Sequence, residues 1–273
     1  MPEIRFEPTT RYRGDCNWLA RHARKAQSQL GQDGVIEKIF EVIGEGNKFC
    51  VEFGAWDGVK YSNTWELIAE KGWSGILIEG NPDRCRDIVR NHNNNPKLQV
   101  VNALVWWDGE SRLDAILDRC DAPVDIDLLG IDIDGNDFHV WNAVEKYKPR
   151  VVVIEFNPSV PNDVYFVQDA DPGIRQGSSL RAMIELGKKK GYSLVCTLKI
   201  DAFFVRDEYF PLFKIESNDI DSMYDNRNFV TMLFHGYDGT LFTAGRKDLI
   251  WCDGEFDHET FQIRPKEKRF FKT

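Results

Sequence analysis

Two short stretches concentrate side chains able to do chemistry. In GIDIDGNDF (130–138), Asp132, Asp134, Asn136 and Asp137 crowd a single turn. Carboxylates that close ionise together only where a cation or hydrogen-bond donors offset their repulsion. IEFNPSVP (154–161) adds the oxygens of Glu155 and Asn157. Asp132, Asp134 and Asn157 therefore form a candidate oxygen-ligand set for a divalent cation such as Mg²⁺, Mn²⁺ or Ca²⁺. Asp132, Asp134 and His139 are candidate proton acceptors, and His235 supplies a further imidazole. The plainer alternative is helix capping by Asp134 or Asn136 among solvated carboxylates.

The second stretch is VEFGAWDGVKYSN (51–63), where Gly54 and Gly58 allow a sharp turn and close approach to a ligand. It is not GxGxxG, because the second glycine lies four residues after the first. The diphosphate-cradling pattern is therefore absent. Glu52 and Asp57 beside the loop favour a cationic or amine-bearing ligand. Glu79 follows Gly58 by 21 residues, in ILIEGN, where an acid can accept both hydroxyl protons of a ribose. Asn102, Ala103 and Leu104 are placed to flank an adenine.

These residues need a scaffold that brings strand ends together. Apolar residues at helical spacing, with Asp33 as N-cap, predict a helix over 33–43 ended by Gly44 and Gly46. KFCVEFGA (48–55) is a short apolar run bounded by glycine and reads as a strand buried on both faces. The alternation continues with helix 62–71, strand 75–80, helix 81–92, strand 98–106, helix 111–120, strand 126–133, helix 138–147, strand 150–156 and helix 178–191. Asn81 and Pro82 mark one helix start, and Ser178 or Ser179 another. Strands 192–198 and 202–207 are close enough to form an antiparallel hairpin. The expectation is an α/β fold: a Rossmann-like doubly wound sheet of about seven strands, mostly parallel with an antiparallel edge strand, and helices on both faces. Residues 1–27 read as an N-terminal arm, 28–207 as the main domain and 208–273 as an appendage shaping the acceptor site.

Composition narrows the partners. The 273 residues carry a net charge of −9 and are 42% hydrophobic and 29% charged, as in globular chains. Residues 1–26 hold a net +3 and residues 264–273 a net +4, leaving −16 for the rest. An acidic body disfavours a nucleic-acid partner. No apolar run reaches the ~20 residues of a membrane span. Six dispersed cysteines form no CxxC pair, and Cys50, Cys85 and Cys196 read as small buried residues. With no secretory leader pattern at the N-terminus, a reducing cytoplasm is the expected location.

SQLGQDG (28–34), KFCVEFGAWDGVKYSNTWEL (48–67), GWSGILIEGNP (72–82), SRLDAIL (111–117), LLGIDIDGND (128–137) and GSSLRAMIELGKKKGYSLV (177–195) followed by AFFV (202–205) together resemble an FkbM-type methyltransferase. That family consists of class I enzymes dependent on S-adenosylmethionine. The resemblance implies a seven-stranded sheet with a reversed final strand. It also implies that Gln29, Glu52, Gly54, Ala55, Asp57, Gly58, Asn63, Glu79, Gly80, Asn102 and Ala103 surround the cofactor. Glu79 would take the ribose hydroxyls, and Asn102 and Ala103 would lie near the adenine. The family's usual Asp-x-Glu-Gly is Asp132-Ile133-Asp134-Gly135 here, with a shorter second carboxylate. A looser similarity is to metal-dependent O-methyltransferases, whose Asp-Asn pair after the fifth strand Glu155-Phe156-Asn157 only approximates.

The expected activity is methyl transfer to a hydroxyl of a sugar, glycan or natural-product acceptor, with a divalent cation as a possible aid. The acceptor pocket is expected to draw on Tyr224, Arg227, His235 and Tyr237, and one of Trp56, Trp65 and Trp73 to stack on a substrate. A homo-oligomer is compatible with the sequence. The alternatives are a metal-dependent nucleotide-sugar transferase, which the acidic glycine loop disfavours, and a non-catalytic module that retains the fold.

Overall fold

The computed structural model describes residues 4–5 and 11–269. Parts of the expected arm (1–3 and 6–10) and the last residues of the basic C-terminus (270–273) lie outside the described residues.

Seven strands form one sheet: β1 (Phe49–Phe53), β2 (Ser74–Glu79), β3 (Leu98–Asn102), β4 (Leu128–Ile131), β5 (Val151–Glu155), β6 (Tyr192–Thr197) and β7 (Asp201–Arg206). Their order is β3-β2-β1-β4-β5-β7-β6, and the first five pair in parallel. The expected hairpin is β6–β7. β7 runs antiparallel between β5 and β6, with Asp201 opposite Glu155. The doubly wound sheet expected from the alternation is borne out by this register. Val51, Phe53, Ile76, Leu77, Ile78, Leu129, Val152, Ile154, Phe203 and Phe204 are all buried, as strands covered on both faces require.

The helices are α1 (Gln32–Ile43), α2 (Trp65–Ala69), α3 (Pro82–Asn91), α4 (Leu113–Arg119), α5 (Asp137–Ala143), α6 (Leu180–Lys190) and α7 (Ile220–Met223). Asn81 caps α3 by accepting from the Asp83 N–H at 2.8 Å, and Ser179 caps α6 by accepting from the Ala182 N–H. Asp33 is not the cap of α1. The helix starts one residue earlier, with Gly31 at φ 95° as cap. The Asp33 carboxylate instead accepts from the backbone N–H groups of Ala26, Gln27 and Ser28 and folds residues 26–28 back onto the helix. Helix α2 is shorter than expected because the side chains of Ser62 and Thr64 are drawn to Glu52. Strand β3 stops at Asn102, whose amide donates to the carbonyls of Glu79 and Gly80 and turns Ala103–Trp106 away from the ladder.

The flanking segments pack on the same core. A 3₁₀ turn (Trp18–His22) gives the arm its only helical element among the described residues. Asn17 is tied to the end of β6, donating to the Thr197 carbonyl at 3.0 Å and accepting from its N–H at 3.0 Å. Beyond β7, Met223 and Tyr224 are buried, and Tyr224 meets Phe156 edge-on at 5.0 Å. A separate hairpin, β8 (Thr231–His235) with β9 (Leu241–Gly245), follows. All six cysteines are thiols. Cys50 and Cys196 are buried as expected, whereas Cys85 is only half-buried because α3 faces solvent on that side. No helix among the described residues is long and apolar enough to cross a membrane.

Candidate functional site

The sheet order reverses direction between β1 and β4, so the loops leaving their carboxyl ends part and open a crevice. A cavity of about 570 Å³ occupies this place. A second, of about 350 Å³, adjoins it, and the two share Asp134, Glu155, Arg175 and Trp251 in their walls.

Gly54 ends β1 at φ 72°, and a Cβ there would lie 2.1 Å from the carbonyl oxygen of Asp132. Only glycine lets the β1 turn and the β4 end sit this close. Glu79 ends β2. Its two carboxylate oxygens each accept one backbone N–H, from Trp56 at 2.9 Å and from Asn81 at 2.7 Å. These donors fix the carboxylate at the cavity wall and leave lone pairs for further hydroxyl groups. Gly80 lies against the exposed Leu104 side chain, whose Cδ2 a Cβ would meet at 2.4 Å. Glu52 is buried and holds the loop by accepting from the Asn63 N–H at 2.7 Å and from the hydroxyls of Ser62 and Thr64 at 2.7 and 2.6 Å. Burial raises its pKa above the ordinary range, and the Thr64, Ser62 and Asn63 donors oppose that rise.

Carboxylates gather at the ends of β4 and β5. Asp132, Asp134 and Glu155 place oxygens within 4.8 Å of one another. Asp132 and Glu155 keep some exposed surface because they face the cavity, yet protein encloses most of each group. Burial, reinforced by the charges of Asp137, Asp201 and Asp134, raises the Asp132 carboxyl well above its usual range. Burial and then Asp132 push Glu155 up to about 10. Burial brings Asp137 to about 6, limited by the donated N–H groups of Ile133 and Gly135. Asp201 rises by burial to about 7 against the Gln32 amide, which donates to it at 2.7 Å. At neutral pH, then, part of the cluster holds protons that a cation would displace.

Of the residues the sequence assigned to a cofactor, Gln29, Glu52, Gly54, Ala55, Glu79, Gly80 and Ala103 line the larger cavity. Asp57, Gly58, Asn63 and Asn102 do not. Asp57 accepts from the N–H groups of Val59 and Lys60, and the Gly58 carbonyl meets His92 Nε2 at 2.9 Å. Asn63 is buried beside Glu52, and Asn102 holds the carbonyls beyond β2. These four brace the loops from behind.

Asp132 and Asp134 reach the cavities, but Asn157 lines only the smaller one and its amide is committed. Its oxygen accepts from Ser159 and its nitrogen donates to the Gln176 carbonyl at 2.7 Å. Glu155 takes its place beside the two aspartates. His139 lines neither cavity; its ring donates from Nε2 to the Gln168 carbonyl at 2.7 Å. Tyr224, Arg227, His235 and Tyr237 line neither cavity. Tyr224 is core, and Arg227 pairs with Asp225. Trp56 does line the larger cavity, whereas Trp73 is fully buried core and Trp65 stands outside.

Sequence reasoning missed Arg175, Trp251, Asp201 and Gln32. Arg175 comes from the loop between β5 and α6, and Trp251 from the segment after β9. Gln32 and Asp201 meet across 169 residues. Only the first turn of α1 and the start of β7 hint at that pair, through polar residues in otherwise apolar segments.

No family model matches the chain, and no curated protein matches it. Among solved structures, the N-terminal domain of EvdMO1 in the presence of SAH and D-fucose is similar at 13% identity, covering 64% of this chain and 80% of that one, with a TM-score of 0.43. An O-methyltransferase family protein from Burkholderia thailandensis is similar at 11% identity over 64% of this chain and 58% of that one, TM-score 0.40. A precorrin-6y C5,15-methyltransferase from Geobacter metallireducens GS-15 is similar at 14% identity over 67% of this chain and 90% of that one, TM-score 0.39. The fold stands on the hydrogen-bonded register of the sheet rather than on these distant likenesses.

Proposed function

We propose that the chain is an S-adenosylmethionine-dependent methyltransferase that methylates a hydroxyl oxygen on a sugar, glycan or natural-product acceptor. The observation that carries the reading is Glu79, a carboxylate fixed by two backbone N–H groups at the end of β2, in the same cavity wall as the Gly54 turn that leaves the neighbouring strand β1. The cavity fits the cofactor's chemistry: an anchored acid for vicinal hydroxyls, a carboxylate-rich wall for a sulfonium and an ammonium, and a glycine turn without side chains. The bound cofactor supplies an electrophilic methyl group, so the protein has mainly to position the acceptor and remove its proton.

Glu79 binds the ribose, and Ala103 and Leu104 border the base. Glu52 and its hydroxyl partners hold the loop that carries Gly54. Asp134, the most exposed of the three clustered carboxylates, stands between the two cavities and takes the acceptor proton. The oxygen set of Asp132, Asp134 and Glu155 fits Mg²⁺ or Mn²⁺, which when bound lowers the pKa of a nearby hydroxyl. The larger cavity sets Lys60 and Arg175 against Glu52, Glu79, Asp132, Asp134 and Glu155, too few cations to balance the charge of a nucleoside diphosphate, which argues against sugar transfer. The test is transfer of labelled methyl groups to a panel of polyols and phenols, with EDTA and with added Mg²⁺. Turnover insensitive to EDTA removes the cation from the proposal, and absence of any hydroxyl methylation removes oxygen as the acceptor atom.

A further inference from the structure

Among the described residues, Arg175 is the only cation in the wall of the smaller cavity, and it also lines the larger one. Its guanidinium has no hydrogen-bond or ion-pair partner among the described residues, although Asp134 and Glu155 share its cavity. Lys60, the other cation of the larger cavity, stands over the Tyr61 ring at 5.0 Å.

The backbone that carries Arg175 is firmly braced. Gln168, 1% exposed, accepts from the N–H groups of Gln176 and Gly177 at 2.9 and 2.8 Å and donates to the Ile174 carbonyl at 2.9 Å. Asn136, also buried, donates to the carbonyls of Asp171 and Ile174 at 3.1 and 3.3 Å. Gly135, at φ 138°, admits Arg175 so closely that a Cβ would lie 3.1 Å from its Cα. Arg175 itself is exposed on this ordered segment, and a ligand-binding arginine gains from such bracing because little order remains to be imposed on binding.

We propose that Arg175 binds a carboxylate of the acceptor, so that the substrate is a compact hydroxylated ring carrying an acid group. The guanidinium fork matches a carboxylate in two parallel hydrogen bonds. Trp251, about half exposed, supplies flat apolar surface in the same cavity for the ring. A volume of about 350 Å³ admits one such ring. Asp134 lies in the wall of both cavities. This inference rests on the methyl-transfer reading.

Its test uses the full chain saturated with S-adenosylhomocysteine, titrated by calorimetry with two pairs of probes. These are D-glucuronate against D-glucose, and 4-hydroxybenzoate against 4-hydroxybenzyl alcohol. In at least one pair the acid binds tenfold or more tightly than its neutral partner. Arg175→Ala removes that preference, Arg175→Lys keeps part of it, and the affinity for S-adenosylhomocysteine changes less than threefold in both variants. A preference absent from both pairs, or one that survives Arg175→Ala, overturns the assignment while leaving methyl transfer in place. Loss of S-adenosylhomocysteine affinity in Arg175→Ala also overturns it, since Arg175 then serves the cofactor's own carboxylate. If the wild type binds no S-adenosylhomocysteine, the methyl-transfer reading fails, and this inference with it.

Discussion

Asp201 gives a direct test of the acidic cluster. It is buried opposite Glu155, with its carboxyl raised from 3.8 to about 7 and one oxygen bonded to Gln32. Because the folded pKa exceeds the unfolded one, the native state holds a proton that the unfolded chain has already lost. Stability is therefore full in acid and falls as pH rises through this window. A shift of three units corresponds to ~4 kcal/mol in all, of which ~2 kcal/mol is lost between about pH 5.5 and about pH 8. Asp201→Asn imitates the protonated acid and still accepts from Gln32. Its stability in urea, measured with EDTA present, should gain on the wild type by ~2 kcal/mol over that interval. Parallel pH curves for the two proteins, or a variant that loses ground as pH rises, would refute the claim that Asp201 is a strained buried acid.

Other predictions follow from the same geometry. Gly54→Ala forces a Cβ against the Asp132 carbonyl and should cost roughly 3–5 kcal/mol in urea unfolding. Gly44→Ala, at φ 73° but with open space around it, should cost only roughly 1–2 kcal/mol; equal costs would contradict the close packing of Gly54. Mn²⁺ binding, followed by electron paramagnetic resonance, should strengthen by about tenfold or more from about pH 6 to about pH 8 as Glu155 and Asp132 yield protons, and should vanish in Glu155→Ala. Affinity independent of pH would remove those carboxyls as ligands. His139→Ala should keep S-adenosylhomocysteine affinity within about threefold while exposing residues 168–177 to proteolysis, since the ring supports the Gln168 carbonyl with a bond worth about 1 kcal/mol. A large loss of affinity would return His139 to the site.

Much of the fold is legible in the sequence because it is written locally. Runs such as FCVEF and VVVIE, each bounded by turn residues and helices, specify buried parallel strands without reference to distant partners. Gly54 and Glu79 are legible for the same reason: each sits where a strand must end. Asn157 misleads because it has the same alternation parity as Glu155, yet β5 stops at Glu155 and the chain curls to hold Ser159. Asp33 misleads because a carboxylate near a helix start can also bind the segment preceding the cap. Arg175, Trp251 and the Gln32–Asp201 pair arrive through long-range packing, and nothing adjacent to them in sequence announces a cavity.

The central claim is that the crevice between β1 and β4 holds S-adenosylmethionine through Glu79. Calorimetric titration of the wild type and of Glu79→Ala with S-adenosylhomocysteine tests it most directly. The wild type should bind with a Kd of about 1–100 µM and the variant at least tenfold more weakly, a loss of ~1.4 kcal/mol or more. A folded wild type that gives no binding heat at millimolar ligand, or a variant that binds as tightly as the wild type, would contradict it.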